Sequence, residues 1–268
     1  MARIVLAFCV MSSIIGIVFA QSTPPPAKDA SDAVFLLTIY EREPGANGQF
    51  HGDGFGTGFF ISPDGTGLTA SHVVYAAAHY PNKYRLLAIV DKEFYDATVV
   101  CSSTLPYDAM VGDPNQGGVP LTRDVAEVKL APTTAFEGRK DELYLLYKDG
   151  TKLTWATAHK DALPVFAYLT IGGAANVGSS THVRVVGFGV ISAIPRKWTS
   201  EGQVRETWSG RDGTPLFSIE SSNPAQPGDS GSPVLNDQNQ VVGLWAWHSY
   251  NKPMGFAQRS SAFERPCP

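Results

Sequence analysis

The chain has 268 residues, of which 43% are hydrophobic and 17% are charged, and its formal net charge is −4. This composition excludes a disordered tail, because it holds enough apolar material for a core. The negative charge lacks the basic footprint of nucleic-acid binding. The 26 glycines and 19 prolines favour many short strands joined by turns. Nothing in the composition implies a cofactor.

Residues 1–20 have the pattern of a secretory signal peptide. Arg3 supplies the positive end, an apolar run follows it, and Val18-Phe19-Ala20 fits a cleavage site of small residues. A membrane anchor is the alternative, but the run is shorter than the ~20 residues that span a bilayer. We therefore predict a secreted protein, extracellular or periplasmic, with no membrane association after cleavage.

The mature chain is predicted to begin with a proline-rich linker over residues 21–33. Cleavage removes Cys9 and leaves Cys101 and Cys267, and an even count in an exported chain permits one disulfide between them. Two buried free thiols are the alternative. No Cys or His spacing predicts a metal site.

Short β-rich runs separated by turn signals begin at Val34 and predict an all-β fold. The predicted strands are Val34–Tyr40, Gly56–Ile61, Tyr84–Val90, Thr98–Cys101, His182–Ile191, Leu216–Glu220, Val234–Leu235 and Val241–Trp247. Helix signals are weak and fall on Asp141–Tyr147 and from Ala262 onward. Residues 131–180 lack a clean period, so we interpret them as a long connection.

His72 is a candidate general base. It follows a predicted strand, a tight turn at Pro63-Asp64-Gly65 and a second short strand, which together form a hairpin. Such a rigid mount suits a base, because proton transfer requires a reach of ~2.6–3.2 Å.

Asp124 is the candidate for the acid that orients this histidine. It precedes the alternating run Val125–Leu130, which is typical of a half-buried strand. A buried carboxylate there would hold the histidine tautomer and stabilise the imidazolium. Asp108 is the alternative, and the apolar alternation behind Asp124 favours Asp124.

Ser230 lies in Gly228-Asp229-Ser230-Gly231 and is the candidate nucleophile. Glycines allow a sharp backbone turn, so the N–H groups of Gly228 and Ser230 are predicted to form an oxyanion hole. An ordinary polar turn before the strand at Val234 is the alternative reading of the tetrapeptide. A serine, a histidine and an aspartate together supply the groups needed for hydrolysis with a serine nucleophile.

These motifs resemble the trypsin-like, chymotrypsin-fold serine proteases. The chain order His72, Asp124, Ser230 is the order of that family. The run Gly56–Gly65 is similar to bacterial exported members, including the HtrA and glutamyl-endopeptidase groups. Val242–Trp247 resembles the strand beside the substrate backbone, and Gly255–Phe263 resembles the closing strand.

The resemblance implies two six-stranded antiparallel β-barrels and a short C-terminal helix. The first barrel would span about residues 34–130 and the second about 181–268, within a protease domain of residues 34–268. It also implies a protein or peptide substrate. Because only 38 residues follow Ser230, too few for the PDZ modules that HtrA proteins carry, we expect a monomer.

The chain departs from the family around the predicted substrate pocket. The resemblance assigns this pocket to Pro224, Ala225, Gln226, Pro227, Ala246, Trp247 and His248. Pro224 stands where trypsins carry an aspartate, which argues against a preference for Arg or Lys. His248 stands where the family has glycine, and it would either favour an acidic side chain or obstruct the entrance.

Three functions are weighed on these observations. A serine endopeptidase acting through an acyl-enzyme accounts for all of them. A catalytically silent protease-fold binding or interaction module is the alternative, and His248 and the unmatched residues 131–180 keep it open. An esterase of the α/β-hydrolase type does not fit, because the G-x-S-x-G spacing and the order Ser, Asp, His both fail.

Overall fold

Antiparallel strands arranged in two closed six-stranded barrels dominate the fold. The computed structural model describes residues 25–43, 51–102, 122–133, 146–147, 157–191, 194–223, 226–248 and 253–263. Two barrels are what the resemblance implied, so this part of the prediction is confirmed.

The first barrel closes where its first two strands pair. Its strands are β1 (Val34–Glu41), β2 (His51–Phe60), β3 (Thr66–Thr69), β4 (Tyr84–Val90), β5 (Glu93–Cys101) and β6 (Ala126–Ala131). The order is β1-β4-β5-β6-β3-β2, and β2 returns to β1. Two short parallel strands, β7 (Leu146–Tyr147) and β8 (Thr157–Ala158), extend β2 and β5. Helix α1 (Ser71–His79) follows β3 directly.

The second barrel has the order β10-β11-β14-β13-β12-β9. Its strands are β9 (His182–Ile191), β10 (Ile194–Ser209), β11 (Pro215–Ser221), β12 (Pro233–Leu235), β13 (Val241–His248) and β14 (Met254–Arg259). In both barrels, the bonds that complete the ring satisfy backbone groups that an open sheet edge would expose.

Alternating burial explains why these sequences form barrel strands. In β6, buried and half-buried residues alternate, so one face points into the barrel. The rings of Phe35 and Phe60 lie 4.5 Å apart in the first core. Gly58 leaves room for them, because a Cβ there would come within 2.3 Å of the Phe35 ring. Trp245 and Phe217 are fully buried in the second core. Each such side chain contributes roughly 1.5–3 kcal/mol by burial.

The two helix predictions have different outcomes. The predicted C-terminal helix is not confirmed, because the described chain ends in one 3-10 turn at Ser260–Ala262 and a C-cap at Phe263. The candidate helix Asp141–Tyr147 is wrong at its end, since Leu146 and Tyr147 form β7, while residues 141–145 lie outside the described residues. β7 forms because it pairs with β2, which is a non-local contact.

Helix α1 and strand β10 carry no clear signal in the sequence. Helix α1 has four buried residues among its nine, and its three consecutive alanines carry no clear 3.6-residue stripe. Strand β10 is 16 residues long and largely polar outside the barrel. It is held by pairing with β9 at ten consecutive positions rather than by an apolar run.

Several predictions concern residues outside the described ranges. These are the signal peptide 1–20, the first residues of the linker, Asp108, Pro224, Ala225 and Cys267. The pairing of Cys101 with Cys267 therefore stays a prediction. The end of the linker packs on the fold, since Ala30 and Ala33 are fully buried. Within the described ranges, no helix combines the length and apolarity needed to cross a membrane.

Candidate active site

His72 and Asp124 come together at the start of helix α1. The Asp124 carboxylate accepts the backbone N–H of His72 at 2.9 Å, and its other oxygen lies 2.6 Å from Nδ1 of the His72 ring. Asp124 is fully buried, and the His72 side chain is 9% exposed. A carboxylate in this position can accept a hydrogen bond from Nδ1–H, an arrangement that leaves Nε2 as the basic nitrogen.

Hydrogen bonds of the neighbouring residues hold the backbone on both sides of the His72–Asp124 pair. Ser71 donates its hydroxyl to the carbonyl of Val125 at 2.6 Å, which joins α1 to the segment before β6. The N–H of Arg123 donates to the Asp212 carboxylate at 2.7 Å, which joins the same segment to the β10–β11 turn. The histidine and the carboxylate are therefore positioned by several elements at once.

The loop before Ser230 makes a tight turn over Gln226–Asp229. Asp229 donates its N–H to the carbonyl of Gln226 at 3.1 Å, Pro227 is the second residue, and Gly228 is the third with φ +99°. This is the pattern of a type II turn, which needs glycine in the third position. A Cβ at Gly228 would also lie 2.8 Å from the Phe55 ring.

Asp229 is buried beside the candidate nucleophile, with 1% of its surface exposed. Its carboxylate accepts the backbone N–H of Gln226 at 2.9 Å. Burial raises the pKa of Asp229 to about 7, although the Gln226 N–H and the Trp245 side chain partly lower it. This carboxylate therefore has a hydrogen-bond partner within its own loop.

Ser230 contacts both barrels. Its hydroxyl donates to the carbonyl of Ala246 on β13 at 2.9 Å, and its carbonyl accepts the N–H of Thr57 on β2 at 2.8 Å. Trp247, next to Ala246, places its ring 4.8 Å from the ring of His72. His72 and Asp124 are thus in direct contact. Ser230 is connected to this pair through β13, on which its partner Ala246 precedes the Trp247 that packs on His72.

Comparison with known proteins gives the family. The model of the trypsin-like peptidase domain matches residues 56–244, which contain His72, Asp124 and Ser230. The chain belongs to this family. Among solved structures, the crystal structure of Deg5 is similar over 88% of this chain and 87% of the other, with a TM-score of 0.53 and 14% identity. At this identity, the likeness concerns the fold. A comparison with curated proteins gives no match.

Five of the predicted pocket residues of this trypsin-like peptidase are described. Gln226, Trp247 and His248 are half-buried, Ala246 is buried and Pro227 is exposed. Burial lowers the pKa of His248, so its imidazole is neutral near pH 7. Pro224 and Ala225 lie outside the described residues. Among the described residues, no group of His, Cys, Asp and Glu is placed to hold a metal ion.

The sequence reasoning missed two residues that hold the site. Thr57 donates its hydroxyl to the carbonyl of Gly228 at 2.8 Å and accepts the N–H of Phe188 at 2.9 Å. Gln258 bonds to the backbone of Asp124. The sequence carried one usable signal for Gln258, namely a polar residue beside Ala257 in an otherwise strand-like run.

Proposed function

We propose that this protein is an exported serine endopeptidase that cleaves peptide bonds through Ser230, His72 and Asp124. The 2.6 Å contact between His72 Nδ1 and the fully buried Asp124 carboxylate carries the proposal. A carboxylate buried against one ring nitrogen orients the imidazole and stabilises its protonated form. Membership of the trypsin-like peptidase family supports hydrolysis of a peptide bond by a serine nucleophile.

In the proposed reaction, Ser230 Oγ attacks the carbonyl carbon of the scissile peptide while His72 Nε2 takes its proton. The N–H groups of Gly228 and Ser230 donate to the developing oxyanion. Collapse of the tetrahedral intermediate expels the amine, which takes the proton from His72, and leaves an acyl-enzyme. Water, deprotonated by His72, then releases the acid and restores the serine.

The Ser230 hydroxyl must change partner before it reacts. In the structure, it donates to the carbonyl of Ala246 at 2.9 Å. For proton transfer it must turn so that it donates to Nε2 of His72. The bond to Ala246 thus describes a resting state of the proposed nucleophile.

Covalent labelling with a fluorophosphonate tests the proposal. We expect a label on Ser230 that is lost in His72→Ala and retained in His79→Ala, because His79 is an exposed histidine at the other end of the same helix. Peptide cleavage should follow the same pattern. A folded protein that neither takes the label nor cleaves a peptide library would reject the enzyme in favour of a silent binding module.

We further propose that the enzyme does not prefer Arg or Lys before the cleaved bond. Pro224 replaces the aspartate of trypsins, and the described pocket residues, Gln226, Pro227, Ala246, Trp247 and His248, carry no acidic side chain. A neutral His248 offers a hydrogen bond rather than a charge. Sequencing the products of a peptide-library digest would reveal the preference, and enrichment of Arg or Lys would contradict it.

Export, the Cys101–Cys267 disulfide and the monomeric state are proposals from the sequence. Mass spectrometry of the secreted protein is expected to give Gln21 as its first residue and a Cys101–Cys267 peptide under non-reducing conditions. A disulfide that closes so long a loop would contribute about 4–5 kcal/mol by chain entropy. Light scattering on the same sample would determine its mass.

A further inference from the structure

Gln258 forms a two-point contact with the backbone of Asp124. Its Oε1 accepts the N–H of Asp124 at 2.8 Å, and its Nε2 donates to the carbonyl of the same residue at 2.9 Å. One amide side chain therefore satisfies both polar groups of one peptide residue. Both residues are fully buried.

This contact joins the two barrels. Asp124 precedes β6 of the first barrel, and Gln258 belongs to β14 of the second. The backbone of Gln258 is itself held on both sides, because it pairs with Leu216 on β11 and with Leu244 on β13. A side chain fixed in this way offers its amide at a defined place.

Burial makes the contact consequential. A buried backbone group that loses its hydrogen-bond partner is destabilised, so the segment at Asp124 would shift to find other partners. The Asp124 carboxylate and its backbone belong to one residue, and the carboxylate sets the position of His72. A displacement of about 1 Å at such a site can lower turnover by 10²-fold.

We infer that Gln258 is a positioning residue, which holds the orienting carboxylate of Asp124 against His72 from the opposite barrel. Gln258 itself need not touch the substrate. This inference rests on the proposed function in so far as turnover is its readout, so the test below includes a readout that does not need turnover.

Gln258→Met tests the inference, since methionine has a similar length and offers neither bond. We expect kcat to fall roughly 10- to 100-fold with KM little changed, because the loss concerns the alignment of His72 rather than binding of the substrate. Gln203→Met, at an exposed glutamine on β10 of the same barrel, is the matched control and should retain wild-type kinetics.

Proton NMR supplies the second readout. A His Nδ1–H that donates to a carboxylate gives a resonance far downfield, which is assigned here by its loss in His72→Ala. We expect this resonance to shift or broaden in Gln258→Met and to remain in Gln203→Met. If Gln258→Met does not fold, Gln258→Asn, which keeps a neutral amide on a side chain shorter by one methylene, is measured instead with a smaller expected loss.

The outcomes separate this inference from the proposed function. A folded Gln258 variant with unchanged resonance and unchanged kcat would overturn the positioning role. If the wild-type protein takes no fluorophosphonate label, the proposed function fails, and the resonance alone decides whether Gln258 positions the Asp124–His72 pair.

Discussion

The two halves of the candidate site are each held by a residue of the other barrel. Asp124, in the first barrel, is held by the amide of Gln258 from β14 of the second. The Ser230 loop, in the second barrel, is held by Thr57 from β2 of the first, through its hydroxyl to Gly228 and its N–H to Ser230. The reciprocal bonds mean that the site depends on how the barrels are docked as well as on each barrel.

The halves differ in the groups that they bury. In the histidine half, the buried Asp124 carboxylate is bonded to the ring and the backbone N–H of His72, whereas in the serine half burial raises the pKa of Asp229 to about 7. The stability of the serine half is therefore expected to respond to pH in the neutral range. The comparison teaches that two equally buried segments of one site can differ in their response to solution conditions.

Removing the charge of Asp124 should have the largest effect on the histidine half. We expect Asp124→Asn to lower kcat by about 10⁴-fold with folding intact, because an amide favours the wrong tautomer of His72. Peptide hydrolysis and thermal melting measure the two effects. Asp108→Asn is the control, and a silent Asp124→Asn with an inactive Asp108→Asn would show that Asp108 is the orienting acid.

The turn at Gly228 is the next test, because it probes the serine half. Gly228→Ala combines a Cβ at φ +99° with a contact of 2.8 Å to the Phe55 ring, so the N–H groups of Gly228 and Ser230, the proposed oxyanion donors, should be displaced. We expect kcat to fall about 10²- to 10³-fold. Gly213→Ala is the matched control, with φ +81° and open space around it. Equal losses in both variants would mean that backbone strain alone, rather than the oxyanion hole, explains the result.

Thr57→Val tests the bond that reaches the serine loop from the first barrel. Valine keeps the shape but leaves the carbonyl of Gly228 and the N–H of Phe188 without this partner, which costs about 2–3 kcal/mol of stability. We also expect a roughly 10-fold loss of kcat. Thr98→Val, at an exposed position of β5, should change neither quantity. A wild-type kcat in folded Thr57→Val would make the reciprocal arrangement irrelevant to catalysis.

Asp229→Asn tests the difference in pH response and has the smallest expected effect on catalysis. Burial raises the pKa of Asp229 in the folded state from 3.8 to about 7. Between these two pH values, the folded protein keeps the carboxyl proton that the unfolded chain has released. This stabilisation is complete below the unfolded pKa and is lost as the pH rises through 7.

Asp229→Asn has no carboxyl group to ionise, so this group no longer lowers its free energy of unfolding as the pH rises. The free energy of unfolding of the variant should therefore increase relative to that of the wild type by up to about 3 kcal/mol between about pH 5 and pH 8. Denaturant unfolding at both pH values measures it. Asp161→Asn, at an exposed carboxylate, is the control and should give a constant difference. A constant difference for Asp229→Asn as well would show that Asp229 stays ionised throughout.

Much of the first barrel was predictable because its strands carry local signals. Tyr84–Val90 was predicted with its observed bounds, as was His182–Ile191 in the second barrel. The alternation behind Asp124 correctly predicted β6. Strand β10 was not predicted, since its outward residues are polar and its length depends on pairing with β9. Strand β7 was not predicted either, because its two residues form a strand only by pairing with the edge of β2.

The residues of the candidate site also divide into those that the sequence predicted and those that only the structure revealed. His72 and Asp124 were selected from motifs, and the structure brings them to 2.6 Å. Gln258 and Thr57 were missed because an isolated glutamine or threonine in a strand has no motif. Their roles come from residues 134 and 171 positions away in the chain.

By itself, the sequence determined the type of fold and selected the residues of the candidate site, because strand alternation, turn glycines and motif order are local properties. It located Gly228-Asp229-Ser230-Gly231 but not the hydrogen bonds that hold this segment in place. Only the tertiary structure decided how the site is held, through Gln258 on Asp124 and Thr57 on the serine loop. These contacts are hydrogen bonds between buried groups far apart in the chain, and which partners meet is settled only when the two barrels pack.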